Sequence, residues 1–220
     1  MKQGTIRRSG CYRGIFVAAF FLFSMAASTF PGQSGVDKRP ELYLGGQPGA
    51  PVKIEVFSDY QCPRCRDFYL ETLKPLLAEY TKANKINKIY VVYHDFPLDN
   101  IHPFARKATR LALAAERLGR DRWLRVNEAL YVEQARWSVD GNIEAILAKV
   151  LDPTELVRVR KLAMDPAIEA VINQEVMLGQ SRTIISTPTF FIVTETGKQQ
   201  RVEGWITYDT MKSYLDRIVK

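Results

Sequence analysis

A β-branched run, Val52-Lys53-Ile54-Glu55-Val56-Phe57-Ser58, leads through Asp59-Tyr60-Gln61 into Cys62-Pro63-Arg64-Cys65, where helical periodicity begins. A short apolar run bounded by Pro51 and by the cysteine turn reads as a buried strand. Proline fits the first turn of the helix that follows, where its missing N–H has no partner to lose. The first thiol then sits where helical N–H groups point outward, which favours thiolate over thiol. The second is close enough to resolve a mixed disulfide. A C-x-x-C pair is also compatible with half a zinc site, or with two structural cysteines.

The other cysteine weighs on that choice. Cys11 precedes the apolar stretch of the N-terminus, so it falls outside the expected domain and is misplaced for lipid attachment. No cysteine remains to complete a Cys₄ zinc site. His94 and His102 lack the spacing of metal ligands. No metal and no cofactor is implied.

Residues 1–30 carry Lys2, Arg7, Arg8 and Arg13 with no acid, so +4 of the net +7 lies there and +3 is left for the rest. That mild excess, with no basic run interleaved with aromatics, gives no reason to expect nucleic-acid binding. The basic start is followed by an apolar stretch, Gly14 to Ala27. It is short for a membrane span and suits the apolar region of a secretory signal. Ala26-Ala27-Ser28 supplies small residues for cleavage after Ser28; the alternative is an uncleaved N-terminal anchor. Arg7-Arg8 reads as part of a plain basic leader. Either way the domain is expected outside the cytoplasm, where disulfides persist. Residues 29–50, rich in Pro, Gly and Ser, read as a linker too short for a dimerisation domain.

Beyond the cysteines, Phe68, Tyr69, Leu73, Leu76, Leu77 and Tyr80 recur at helical spacing, and Pro75 should kink that helix. Residues 88–94 form a second strand, which makes a β-α-β unit with parallel strands. Residues 101–180 are helical in pattern, with Asp152-Pro153 and Asp165-Pro166 as helix starts and Gly179 as the end of the last helix. Thr189-Phe190-Phe191-Ile192-Val193 and Gln200-Arg201-Val202-Glu203 flank the turn Thr196-Gly197 as a hairpin. Thr207 caps a final helix with Met211, Tyr214, Leu215 and Ile218 on one face. The fold class is α/β, a βαβ…ββα core with an all-helical insertion. The core is assigned to residues 51–100 and 181–220, and the insertion to 101–180.

This order resembles the thioredoxin fold with a helical insertion, and more closely the DsbA-like branch of exported thiol-disulfide oxidoreductases. The resemblance rests on residues 57–65 (Phe-Ser-Asp-Tyr-Gln-Cys-Pro-Arg-Cys), on Leu73-Lys74-Pro75-Leu76 and on Asp95-Phe96-Pro97-Leu98. His102 with the alanine-rich helix after it, and Ser186-Thr187-Pro188-Thr189-Phe190-Phe191, complete it. It implies that Pro188 is cis and that its loop faces the cysteine pair. Read from the residues alone, Pro188 could equally be a trans proline that starts a strand. A facing loop would let the Thr187 backbone pair with an extended substrate segment.

Two positions depart from the family pattern. Relatives often carry a buried acid six residues before the first cysteine, where this chain has Val56. Glu55 should face the other side of the sheet, because side chains alternate along a strand. His94 stands where relatives commonly carry arginine and is expected to make a structural hydrogen bond. His102 is expected at a helix N-terminus, packing locally.

The expected activity is dithiol–disulfide exchange by Cys62 and Cys65, with Pro63, Arg64, Thr187 and Pro188 shaping the site. A cation at Arg64 would favour the Cys62 thiolate, unless it is an ordinary surface arginine. A stabilised thiolate makes the disulfide form the better oxidant, which argues for disulfide donation. The alternatives are a reductase or isomerase and, in another class, a chaperone-like peptide-binding module. The expected partners are exported proteins with cysteines and, by family analogy, a quinone-linked membrane protein for recycling. The chain itself is expected to be a monomer.

Overall fold

The structure is a computed structural model that describes residues 41–80, 82, 85 and 87–219. The basic leader, its cleavage position, Cys11 and residues 29–40 lie outside the described residues. In chain order the elements are β1 (Tyr43–Gly46), β2 (Val52–Ser58), α1 (Pro63–Asp67), a π-helical turn (Phe68–Leu73), α2 (Lys74–Tyr80) and β3 (Ile89–Asp95). The helical segment follows as α3 (Ala105–Glu116), α4 (Arg120–Val132), α5 (Gln134–Asp140), α6 (Ile143–Leu147), α7 (Pro153–Leu162) and α8 (Pro166–Ser181). The chain returns through β4 (Thr189–Thr194), β5 (Gln199–Glu203) and α9 (Tyr208–Ile218).

The strands form one sheet in the order β1-β3-β2-β4-β5. β2 and β3 are parallel, in register from Val52↔Ile89 to Ser58↔Asp95, as the β-α-β reading requires. β4 runs antiparallel to β2, and β5 antiparallel to β4. This is the thioredoxin-like α/β core with its helical insertion. The sheet has two faces. Val56, Ser58 and Tyr93 face the main core shared with α1 and the insertion, whereas Phe57 packs with Phe96, Ile184 and Phe191 on the other side.

The structure corrects two boundaries. Residues 43–46, assigned to the linker, form the edge strand β1, antiparallel to β3. Leu42 and Leu44 are buried there, and Arg120 lies over the Tyr43 ring and donates to the carbonyls of Tyr43 and Leu44. Gly46 has a positive φ, and a Cβ on it would strike the Ile89 carbonyl, so glycine serves close pairing here and not looseness. Gly179 does not end α8, which continues to Ser181. A Cβ at Gly179 would lie 2.4 Å from the Phe96 ring, so the glycine lets α8 press onto the sheet. The kink expected at Pro75 is taken up just before it: the Lys74 N–H donates to the Tyr69 carbonyl five residues back, in the π-helical turn. Both expected Asp-Pro helix starts are present, Asp152 in a reciprocal capping box with Glu155 and Asp165 accepting from the Ala167 N–H.

Candidate active site

Cys62 is the N-cap of α1, extended at φ −71°, ψ 120°, with Pro63 at the first helical position. Its carbonyl accepts the N–H groups of Cys65 and Arg66 at 3.1 and 3.2 Å, which starts the helix. Both cysteines are free thiols. Cys62 is 6% exposed and Cys65 1% exposed, while Pro63 and Arg64 stand out in solvent. The Thr187–Pro188 bond is cis, and the Thr187 carbonyl accepts from the Cys62 thiol at 3.3 Å. Two bonds hold that loop: Thr189 Oγ1 donates to the Ser186 carbonyl, and Gly204 N–H to the Pro188 carbonyl, each at 2.8 Å. Cys62, Cys65, Thr187 and Pro188 therefore meet across the insertion that separates them in sequence.

The two thiols have opposite acidities. Hydrogen bonding from Cys65 holds the Cys62 thiol down at about 6, against the pull of burial. A hydrogen bond from Thr187 and the backbone N–H groups of Cys65 and Arg64 add to that lowering. The Thr187 hydroxyl is buried, so its donation to a sulfur anion is shielded from water. Burial pushes Cys65 well above the ordinary thiol value, and its hydrogen bond with Cys62 and the charge there push it further. Arg64 contributes through its backbone N–H. Its exposed guanidinium makes no hydrogen bond or ion pair among the described residues.

A supporting set went unrecognised in the sequence. The Asp59 side chain is 0% exposed. Its Oδ1 accepts the Gln61 N–H at 2.7 Å, and its Oδ2 meets the Leu98 N–H and His102 Nδ1 at 2.8 Å each. Its own N–H donates to Cys65 Sγ at 3.4 Å. His102 precedes α3 and binds this carboxylate, so it does not start a helix and pack locally as expected. Gln61 accepts from the Phe104 N–H, and Gln134 donates to the carbonyls of Tyr60 and Cys62. The turn before the cysteines is thus tied to the insertion by side chains. An acid between a buried strand and the cysteine turn was the available signal for Asp59. Its partner 43 positions later carries no periodic signal.

Glu55 and His94 lie on the other face of the sheet. Glu55 pairs with Lys53 and Arg182 at 2.9 and 2.7 Å. His94 stacks on Phe57 and meets Glu175 at 2.8 Å, the structural hydrogen bond expected of it. Val56 occupies the cysteine side and is buried.

The sequence profile of the thioredoxin family matches residues 38–217. The chain is 22% identical over 198 residues to Disulfide bond formation protein D of Bacillus subtilis, covering 86% of this chain and 81% of that protein. It is 27% identical over 150 residues to the Na(+)/H(+) antiporter NhaA 3 of Salinispora tropica, covering 68% of this chain. The chain spans only 21% of that antiporter. Among solved structures, alpha-DsbA1 of Wolbachia pipientis matches with a TM-score of 0.64 at 18% identity, covering 82% of this chain and 92% of that one.

Proposed function

We propose, for a chain that belongs to the thioredoxin family and has the DsbA-like fold, that Cys62 and Cys65 donate their disulfide to exported proteins. The chain is a thiol-disulfide oxidoreductase; the direction of exchange and the roles of individual residues are our reading. The observation that carries it is the opposed acidity of the two thiols, with Cys62 near 6 and Cys65 pushed well up. Cys62 is the sulfur that a client thiolate attacks and the one that leaves easily from the mixed disulfide. Cys65 is the buried sulfur that closes or opens the internal bond. A stabilised Cys62 thiolate stabilises the reduced pair, so the disulfide form tends to oxidise its clients. Pro63 and Arg64 present an open surface beside Cys62. The Thr187-Pro188 loop offers backbone for an extended client segment, in the manner of strand addition.

The basic, apolar leader supports an extracytoplasmic site of action, with the leader either cleaved or kept as an anchor. Among the described residues no helix is long and apolar enough to cross a membrane. Clients are exported proteins with cysteines, and a membrane redox protein reoxidises the pair. The chain works as a monomer.

The test is the reduction potential of the Cys62–Cys65 couple against glutathione, with client oxidation by the wild type and by Cys62→Ser measured alongside. Donation requires a potential well above that of thioredoxin and loss of turnover in the variant. A value more negative than about −250 mV would make the pair a reductase, and turnover that survives Cys62→Ser would remove that thiol from the reaction.

A further inference from the structure

The segment that brings Thr187 to Cys62 is held from the far side of the sheet. Glu55, Phe191 and Arg201 stand side by side across β2, β4 and β5, paired in register on the face away from the cysteines. Arg182, the residue after α8, lays its guanidinium 3.7 Å from the centre of the Phe191 ring and donates to Glu55 at 2.7 Å. Lys53 pairs with the same carboxylate at 2.9 Å. Arg201 donates to the Arg182 carbonyl at 3.0 Å and to the Thr183 carbonyl at 2.8 Å, and it pairs with Glu203 at 2.8 Å.

Those two carbonyls belong to a turn that needs holding. The Thr183 N–H donates to the Gln180 carbonyl and the Ile184 N–H to the Gly179 carbonyl, each at 2.9 Å, which ends α8 in a Schellman turn. Such a turn takes a left-handed residue, and here it is Thr183, at φ +58°. A β-branched side chain is an outlier in that region, and the conformation persists only where its surroundings fix it. The planar fork of Arg201 does so by meeting two successive carbonyls at once. Only Ile184, Ile185 and Ser186 separate the clamped Thr183 from Thr187. Ile184 is buried against Phe57, Phe96 and Phe191, Ile185 and Ser186 are exposed, and the Thr187 carbonyl then lies 3.3 Å from Cys62 Sγ.

We propose, resting on the exchange reading above, that Arg201 is a positioning residue for the Cys62 site: backed by Arg182 and Glu55, it clamps the end of α8 and so sets how closely the Thr187 segment lies against the Cys62 sulfur. Arg201 stands on the opposite face of the sheet from both thiols, so it acts only through the turn it grips. Without the fork, Thr183 is free to leave its left-handed conformation, and the segment behind it loses its fixed start. The hydrogen bond from Thr187 that helps to hold the Cys62 thiol down then weakens. The same loosening displaces the backbone that an extended client segment would pair with.

The test is the pH dependence of Cys62 alkylation by iodoacetamide in the reduced protein, where Cys65 is buried and protonated. The wild-type midpoint should lie at about 6. Arg201→Met keeps an apolar stem and removes the fork, and its midpoint should rise by at least about 0.5 pH unit, the scale of one hydrogen bond. The rise should come through Thr187. In Thr187→Val, whose own midpoint is already raised, adding Arg201→Met should move it less than half as far. A role confined to stability would lower Tm and leave the midpoint in place. A wild-type midpoint in folded Arg201→Met, or a rise that adds in full to that of Thr187→Val, overturns the proposal. Should Arg201→Met fail to fold, Arg201→Lys, which keeps the charge and loses the fork, decides in the same way. A wild-type midpoint at the ordinary 9.0 would remove the case for donation, and the difference between wild type and Arg201→Met would still decide the clamp.

Discussion

The potential of the Cys62–Cys65 couple should depend on pH with a break at about 6. Reduction of the disulfide takes up two electrons and as many protons as the product thiols hold. Below the break both sulfurs end as thiols, and the potential falls by about 59 mV per pH unit; above it Cys62 remains a thiolate and the slope halves to about 30 mV. An ordinary thiol, with its value at 9.0, would keep the steeper slope well past neutrality. At pH 7 the additional ionisation of Cys62 stabilises the dithiol by about 1.4 kcal/mol relative to an ordinary thiol. For a two-electron couple that makes the disulfide about 30 mV more oxidising. Thr187→Val deletes the buried hydroxyl that donates to the sulfur, so the break should move upward and part of those 30 mV should be lost. The assay is equilibration in glutathione buffers from about pH 5 to about pH 9, acid quenching, and counting of free thiols with a maleimide. A single steep slope through pH 8 would mean that the hydrogen bonds around Cys62 do not hold its charge, and the case for donation would lose its main support.

Asp59→Ala strips the acceptor from the Gln61 and Leu98 N–H groups and from His102, and should cost at least about 3 kcal/mol in urea unfolding, given what unpaired buried partners cost. The hydrogen bond to Asp59 raises His102 above its ordinary 6.5, so the pair's stabilisation is full below about pH 6.5 and is lost as pH rises through the raised value. His102→Gln should flatten that fall, and an unaltered pH profile would refute the assignment. Gly179→Ala pushes a methyl group into the Phe96 ring, and overpacking of about 1–3 kcal/mol should lower Tm by roughly 2–12 °C. An unchanged Tm would show that α8 can back away from the sheet.

What could be read without coordinates was whatever is local or periodic. β2 alternates apolar and charged residues from Val52 to Val56, β3 opens on the apolar run Ile89 to Tyr93, and the Asp-Pro pairs announce α7 and α8 by their own chemistry. β1 was hidden because it is only four residues long and includes two glycines, so the alternation of Leu42 and Leu44 was swamped by the composition around it. Gly179 looks like a helix end in sequence, and only the Phe96 ring shows why it lies inside α8. The site divides in the same way. Cys62 and Cys65 are legible from their spacing, and the Thr187-Pro188 loop from its family motif. The bonds that surround them are not legible: Asp59 meets His102 across 43 positions, and Ser58 meets Tyr131 across 73. No spacing rule connects such residues; only the fold brings them together.

Arg64 shows what this costs a reading made from motifs. Between the cysteines it is the obvious cation, and the acidity of Cys62 is easily credited to it. Its side chain stands in solvent, where an exposed charge contributes no more than about 1 kcal/mol and is screened by salt. The groups that act on Cys62 are short-range donors fixed by backbone and packing: Cys65, Thr187 and the first N–H groups of α1. Donors of that kind keep their effect at high ionic strength because they are built into the turn and the facing loop. The redox character of the pair is therefore a property of how β2, α1 and the Thr187-Pro188 loop meet, more than of the two residues between the cysteines.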